Sequence, residues 1–339
     1  MARKTREPRP KKPSALKTWW SNLASEQRKA FFRAAAWVVL AGALGTAAVL
    51  SLKGLERRVT DTAAAPTMTV GVKFTDRPDW MPASLVRWLA GEVLPAGSNF
   101  HDPQLTETVH RSAMANPWIR TIHCVSKYRT NDPRLGVVEI RAEFRQPLAV
   151  VNVGNEEYYV DADGVRLPSD QVPKYIGILP ATRAMPARKA CFAERREIPQ
   201  GAQAVAIHYL AIEGVDTVAA PPPAVGQRWN ADDLREGLRL AQLMLSRRYA
   251  NQISSVDVRN AGGRISKSEP HLRMYAQVGE GKPTDIRFGR FPDPNGDWEI
   301  TPEQKLFNLD QYVNEHNGLL AGANRYIDLR FDWRHESID

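Results

Sequence analysis

Nineteen consecutive residues, Ala34 to Leu52 (AAAWVVLAGALGTAAVLSL), carry no charge. As a helix rising about 1.5 Å per residue they come close to the roughly 30 Å of a hydrocarbon core. Inside such a core every backbone N–H and C=O must be satisfied within the segment, and a helix does that. Trp37 suits an interface, and Gly42 and Gly45 permit close helix contact, although their spacing is not GxxxG. A buried helix of a soluble protein and a cleaved signal peptide compete with a retained anchor. The length of the run argues against the first. A long preceding stretch, and Pro66 directly after Ala63-Ala64-Ala65, argue against the second. The expectation is a retained transmembrane helix over 34–52.

Charge orients it. The chain has 339 residues and a formal net charge of +8. The excess sits in residues 1–33, where Arg3, Lys4, Arg6, Arg9, Lys11, Lys12, Lys17, Arg28, Lys29 and Arg33 face only Glu7 and Glu26. A basic arm can serve nucleic acid or an anionic membrane surface, and the apolar run that follows favours the membrane. The arm outweighs Lys53, Arg57 and Arg58 on the far side, so residues 1–33 are expected in the cytoplasm and the remainder outside it. Two cysteines, Cys124 and Cys191, are too few for a disulfide scaffold. They could form one bond, but Cys124 lies in a strand-like apolar pattern and reads as a small buried thiol.

After a linker over 53–66, a first unit is expected over 67–145. Met68, Val70, Val72 and Phe74 alternate with polar or small residues as a strand. Pro82 opens a helix with Leu85, Trp88, Leu89 and Val93 at helical spacing. A second helix carries Leu105, Val109 and Met114, and Asn116-Pro117-Trp118 ends it, because the residue before proline avoids the α region. Strands over 119–125 and 137–143 complete a β-α-α-β-β order, with Val138, Ile140 and Ala142 on the buried face and Trp118 in the core.

Pro147 has no N–H to donate, so the ladder breaks there and the chain changes domain near Gln146. A second domain is expected over 146–333, ahead of a tail over 334–339. It opens with hairpins: Leu148 to Val153, the Gly154-Asn155 turn, Tyr158 to Val160, then Asp163-Gly164 with Val165 and Leu167 returning. Residues 169–208 lack periodicity and read as an insertion with a short helix near Met185 to Cys191. Asn230 is expected to cap a helix with Leu234, Leu238, Ala241 and Leu245 on its apolar face. Strands follow over 253–258, 271–276 and 285–288. Thr301-Pro302-Glu303-Gln304 is a helix start, with Leu306, Leu309 and Val313 facing inward. In a last strand, Tyr326 to Asp332, simple alternation buries Ile327, Leu329 and Phe331. The fold class is α+β: one transmembrane helix, the β-α-α-β-β unit, then a mixed, mostly antiparallel β domain with two or more helices.

Catalytic patterns are missing. The seven histidines show no zinc-like pairing with each other or with a cysteine. Asp161-Ala162-Asp163-Gly164 begins like a calcium loop, but the bidentate acid expected at its end falls on Val172, so a hairpin turn is the better reading. There is no G-x-S-x-G, P-loop or dinucleotide fingerprint. The chain reads as no enzyme, with no catalytic residue, cofactor, metal, nucleic acid or small-molecule substrate.

Several of these stretches carry a family resemblance. Glu143-Phe144-Arg145-Gln146-Pro147-Leu148-Ala149, followed by Tyr159-Val160-Asp161-Ala162-Asp163-Gly164-Val165, resembles the junction between the POTRA and β domains of FtsQ/DivIB cell-division proteins. Pro117-Trp118-Ile119, Arg287-Phe288-Gly289 and the closing Ile327-Asp328-Leu329-Arg330-Phe331 are similar to that family too, and only the 169–208 insertion falls outside the likeness. The resemblance implies a bitopic inner-membrane protein at the septum, with a POTRA domain over 67–145. It further implies a scaffolding role in the divisome, binding FtsB/FtsL-like partners by β-strand addition at the carboxy-terminal edge and linking them to septal peptidoglycan synthesis. The positions it carries over are Tyr326, Asp328, Arg330, Phe331 and Trp333, the last standing exposed beyond the strand. A POTRA-type adaptor or chaperone module of envelope protein assembly or secretion is the alternative. A membrane-tethered cell-wall enzyme is a third, which would need an acidic or metal cluster in a cleft.

Overall fold

A computed structural model describes residues 25–61, 68–179, 188–277, 283–292, 298–320, 326–331 and 335–337. Expectations placed on residues 1–24, 62–66, Met185 and Trp333 fall outside them. The chain divides into two units, Met1–Thr67 and Met68–Asp339.

The first unit holds helix α1, Ser25–Asp61, of 37 residues. It runs past the apolar stretch at both ends, so 53–61, expected as linker, is helical; Lys53 to Arg58 contains only fair to good helix formers apart from Gly54. Its Ala36–Leu55 window, 20 residues with mean hydropathy 1.8 and no buried share, is long and apolar enough to cross a membrane. Thr46 turns its hydroxyl back onto the Gly42 carbonyl at 2.9 Å, which satisfies the donor within the helix.

In the second unit, β1 (Thr69–Thr75), α2 (Ala83–Val93), α3 (Leu105–Met114), β2 (Ile119–Arg129) and β3 (Leu135–Phe144) follow in that order. The sheet is ordered β1-β3-β2, with β1 parallel and β2 antiparallel to the central β3. Val138, Ile140 and Ala142 of β3 are buried against Leu85, Leu89 and Val93 of α2 and Leu105, Val109 and Ala113 of α3. Met114, expected inside, is 49% exposed. The inward spacing is 105, 109, 113, so Ala113 takes the place. Trp118 is fully buried, and its Nε1 donates to Gln171 Oε1 at 2.8 Å.

Cys124 also departs from expectation: it is exposed, and both cysteines are free. The register of β2 shifts between Ile119 and Thr121 and again between Ile122 and Cys124. Each bulge adds a residue, so the inward positions become Ile119, Ile122 and Val125, three apart, and Cys124 is turned outward.

The backbone leaves this sheet after Phe144 and enters a second one at Pro147. Its strands are β4 (Pro147–Val153), β5 (Glu156–Asp161), β9 (Leu210–Glu213), β10 (Ile253–Asp257), β11 (Leu272–Ala276), β12 (Thr284–Gly289), β13 (Tyr326–Asp328) and β14 (His335–Ser337), ordered β14-β13-β12-β11-β10-β9-β4-β5. The pairings β4–β9, β9–β10 and β12–β13 are parallel and the other four antiparallel. The return after Gly164 is not a strand: Arg166 bridges to Val160 of β5, Leu167 N donates to the Tyr159 carbonyl at 2.8 Å, and Val165 bridges to Arg228. Packing does not divide where the sheets do. Val150, Tyr159, Leu167 and Val172 join the core that holds Trp118 and Ile140.

One transverse row, Val151-Ile212-Val256-Met274-Ile286-Ile327, crosses six strands and is fully buried. It packs under α4 (Asp232–Leu245) and α5 (Pro302–Glu315). Ala231, not Asn230, is the N-cap of α4, and Met244 is buried where Leu245 was expected; Leu245 is 52% exposed. Thr301 caps α5 as its sequence predicts, accepting from Gln304 N at 3.3 Å.

Residues 169–208 are more ordered than their composition suggests. β6 (Tyr175–Leu179), β7 (Arg188–Phe192) and β8 (Gln203–Ala206) form a separate antiparallel sheet, β7-β6-β8. The helix expected near Met185 to Cys191 is therefore corrected: 188–192 is strand. Strands this short, partly exposed on both faces, leave no apolar period to read.

Candidate partner-binding edge

The residues adjacent to the apolar row point to the other face of the large sheet and form a polar row, Asn152-Glu213-Asp257-Arg273-Arg287-Asp328. Strand alternation makes this unavoidable once the apolar row is buried. Arg273 and Arg287 share Asp285, at 2.8 and 3.2 Å. The row ends at Asp328 on β13, where four of the residues singled out from the sequence gather.

Tyr326 opens β13 opposite Asp285, with the Arg287 guanidinium 3.9 Å from its ring centroid. Asp328 is 3% exposed, and Arg330 closes on it, Nε at 2.9 Å from Oδ1 and Nη2 at 2.7 Å from Oδ2. Arg330 Nη1 also donates to the Ser268 carbonyl at 3.1 Å. Asp328 holds the guanidinium above its ordinary pKa, against an opposing burial effect. Asp328 and Arg330 are thus a bidentate lock, tied also to the Ser268 carbonyl, rather than two free contact groups.

Phe331 departs from simple alternation. β13 ends at Asp328, Arg330 and Phe331 lie in a bend, and Phe331 is half-buried while Ile327 and Leu329 are fully buried. Its ring stacks on Trp298 at 5.2 Å and 26°. Trp298 is 60% exposed, with Arg290 6.0 Å from its centroid and Arg330 5.2 Å from that of Phe331.

The neighbour of Trp298 fixes this pair. Glu299 is buried, accepts from Lys305 Nζ at 2.6 Å and from Arg290 N at 2.9 Å, and Lys305 Nζ donates again to the Arg290 carbonyl at 2.7 Å. Lys305 is wholly buried on the first turn of α5, and burial lowers its pKa against the opposing pull of Glu299. Gly289, at φ +80°, lets the chain pass, since a Cβ there would overlap the Glu299 carboxylate and lie 2.7 Å from Arg330 Cγ. The sequence reading missed Trp298; its signal was a large aromatic directly after the turn-forming letters Pro-Asn-Gly-Asp.

Residues 334–339, expected as tail, include β14, whose backbone pairs Tyr326 with Ser337, Ile327 with Glu336 and Asp328 with His335. β14, not β13, is the outer strand of the sheet at this side. Trp333, between them, lies outside the described residues.

Elsewhere, the Asp161 turn is a local hydrogen-bonding device: Oδ1 accepts from Asp163 N at 2.9 Å and Val165 N at 2.8 Å. A cavity of about 460 Å³ near the start of α4 is lined by Asp216, Asp233, Glu236 and Arg264, but Arg264 already pairs with Asp233 at 2.9 Å and Asp216 at 3.4 Å. Among the described residues no group of three or more His, Cys, Asp or Glu is placed to hold a metal ion. No protein-family model matches the chain, and no curated protein matches it either.

Proposed function

We propose that this chain is a single-pass inner-membrane scaffold of the FtsQ/DivIB type, with a cytoplasmic amino terminus, and that it works in the divisome without catalysing a reaction. On this reading the β-α-α-β-β unit is a POTRA domain. The carboxy-terminal side of the large sheet receives a segment of an FtsB/FtsL-like partner and links it to septal peptidoglycan synthesis. The observation that carries the proposal is the Trp298–Phe331 stack, with Trp298 exposed and Phe331 half-buried, just beyond the end of β13 in a sheet whose outer strand is the short β14. Large aromatic surface next to an open strand suits strand addition, in which backbone bonds supply affinity and aromatic anchors supply register. The element order, an apolar helix then two sheets joined at Arg145-Gln146-Pro147, supports it as well.

The test is a fluorescent fusion to the amino terminus, imaged in dividing cells with and without Phe331→Ala and Trp333→Ala. A midcell band, with FtsB/FtsL-like partners co-purifying from wild type and lost from the variants, is expected. Uniform envelope signal in dividing cells would defeat the divisome role and favour a general envelope adaptor.

A further inference from the structure

A buried ion pair is a poor way to fill space. Each charge gives up its water, and apolar residues of similar volume often serve stability as well or better. Lys305 and Glu299 are such a pair. What they supply beyond filling is direction, and their bonds converge on the backbone beside the aromatic stack.

The Lys305 ammonium donates to Glu299 Oε2 and to the Arg290 carbonyl, and Glu299 Oε2 accepts in turn from Arg290 N. These bonds close a ring that joins the first turn of α5, the residue just past β12 and the residue after Trp298. The ammonium also lies 4.7 Å from the Phe288 ring centroid. On the far side Ile300 N donates to the Arg330 carbonyl at 3.1 Å, one residue before Phe331. Trp298 and Phe331 therefore each stand next to a residue held by this network or by the Asp328 lock. Trp298 is exposed, so its own burial does little to orient it. Its ring takes its place from the chain that carries it.

We propose that Lys305 and Glu299 are positioning residues for partner binding, which touch no partner and hold the Trp298–Phe331 stack in the orientation that the partner segment meets. The proposal rests on the binding role given to that stack. It separates stability from affinity, which a purely structural pair would move together. Replacing both charges by apolar side chains removes an unpaired buried charge and so restores part of the stability. No apolar side chain bonds both the N–H and the carbonyl of Arg290, so the orientation stays lost.

The test uses the full chain in detergent with 5-fluorotryptophan incorporated, the Trp298 fluorine resonance being assigned by its loss in Trp298→Phe. The ligand is the FtsB/FtsL-like partner that co-purifies with wild type. Lys305→Met with Glu299→Leu should shift or split the Trp298 resonance and weaken binding about tenfold, while melting above Lys305→Met alone. Glu299→Gln keeps an oxygen that accepts both donors and should stay within about twofold of wild-type affinity. Gly289→Ala displaces the same carboxylate with both charges present, so its loss of affinity decides the matter if the double variant misfolds. An unchanged Trp298 resonance in the double variant, or affinity that returns with stability, would overturn the proposal. If no such partner co-purifies with wild type, the divisome reading fails, and the resonance alone decides whether the pair positions the stack.

Discussion

Arg145 Nη1 lies 2.7 Å from Asp161 Oδ2, joining the first residue after β3 to the last residue of β5. Asp161 is 3% exposed, and its other oxygen holds the turn to Val165, so one carboxylate ties the junction of two sheets to a hairpin. Arg145 also reaches Asp163 at 3.4 Å, and Arg120 approaches Asp163 from β2 at 3.0 Å.

Asp161→Ala removes the ion pair and two turn hydrogen bonds together and should cost about 3–5 kcal/mol. Arg145→Met leaves the buried Asp161 carboxylate without its cation but keeps both backbone donors to its Oδ1, so a smaller loss of about 2–3 kcal/mol is expected. Urea unfolding of both variants and their double mutant checks this. A coupling energy near zero would mean the contact carries no stability.

Lys305 and Glu299 form the most enclosed ion pair among the described residues, with side-chain exposures of 0% and 5%. Lys305→Met alone takes the nearest cation from the buried Glu299 carboxylate, leaving it the Arg290 N–H and the Arg290 guanidinium at 3.7 Å, and should destabilise by about 3 kcal/mol. Lys305→Met with Glu299→Leu removes both charges and should recover part of that loss. Thermal melts of the three variants provide the comparison.

Gly289→Ala combines a positive φ with overlap on a fixed carboxylate, and about 2–4 kcal/mol of destabilisation is expected. Gly154→Ala has a similar backbone sign, φ +61°, but nothing within 4 Å of the added carbon, so about 1 kcal/mol should suffice. Equal losses at the two sites would show that the Glu299 contact relaxes freely.

Buried tyrosines set the alkaline limit. Burial, with Glu157 adding, pushes Tyr159 up to about 12 from 10.0. Burial also raises Tyr209 and Tyr249, the latter donating to Asp310 Oδ1 at 2.7 Å. Above pH 10 the unfolded chain releases these protons first, so stability is intact below pH 10 and falls as pH rises through the folded values. Tyrosinate absorbance should show late-ionising groups that titrate normally in urea.

Trp298→Ala deletes the exposed half of the aromatic stack and leaves Glu299 and Lys305 in place. Unfolding should shift by less than about 1 kcal/mol, while affinity for an FtsB/FtsL-like partner, measured by calorimetry, should drop about tenfold or more. Unchanged affinity would remove the stack from the binding surface.

Much of the second unit was legible because its periods are local. Alternation located β3, Pro82 and Thr301-Pro302 placed helix starts, and the Asp161 turn followed from Asx chemistry. The misreadings share a cause in bulges, short strands and shifted helix faces. Two inserted residues in β2 turned Cys124 outward, and one-position changes of face replaced Met114 by Ala113 and Leu245 by Met244. For β6, β7 and β8 the exposed residues carried too little apolar contrast to register as strands.

What the sequence determined by itself is what depends on neighbours a few residues apart: the membrane-length helix, the alternating strands, the capped start of α5, and the charge imbalance of residues 1–33. What only the tertiary structure decided depends on strands far apart in the chain lying side by side. The row from Val151 to Ile327 crosses strands separated by loops and helices, and its polar counterpart ends at Asp328 only because β12 and β13 pair in parallel at that register. Asp328 and Arg330 read as free contact residues in a list of letters. Folding pairs them, because a buried carboxylate without a cation would cost more than the exposed contacts could return.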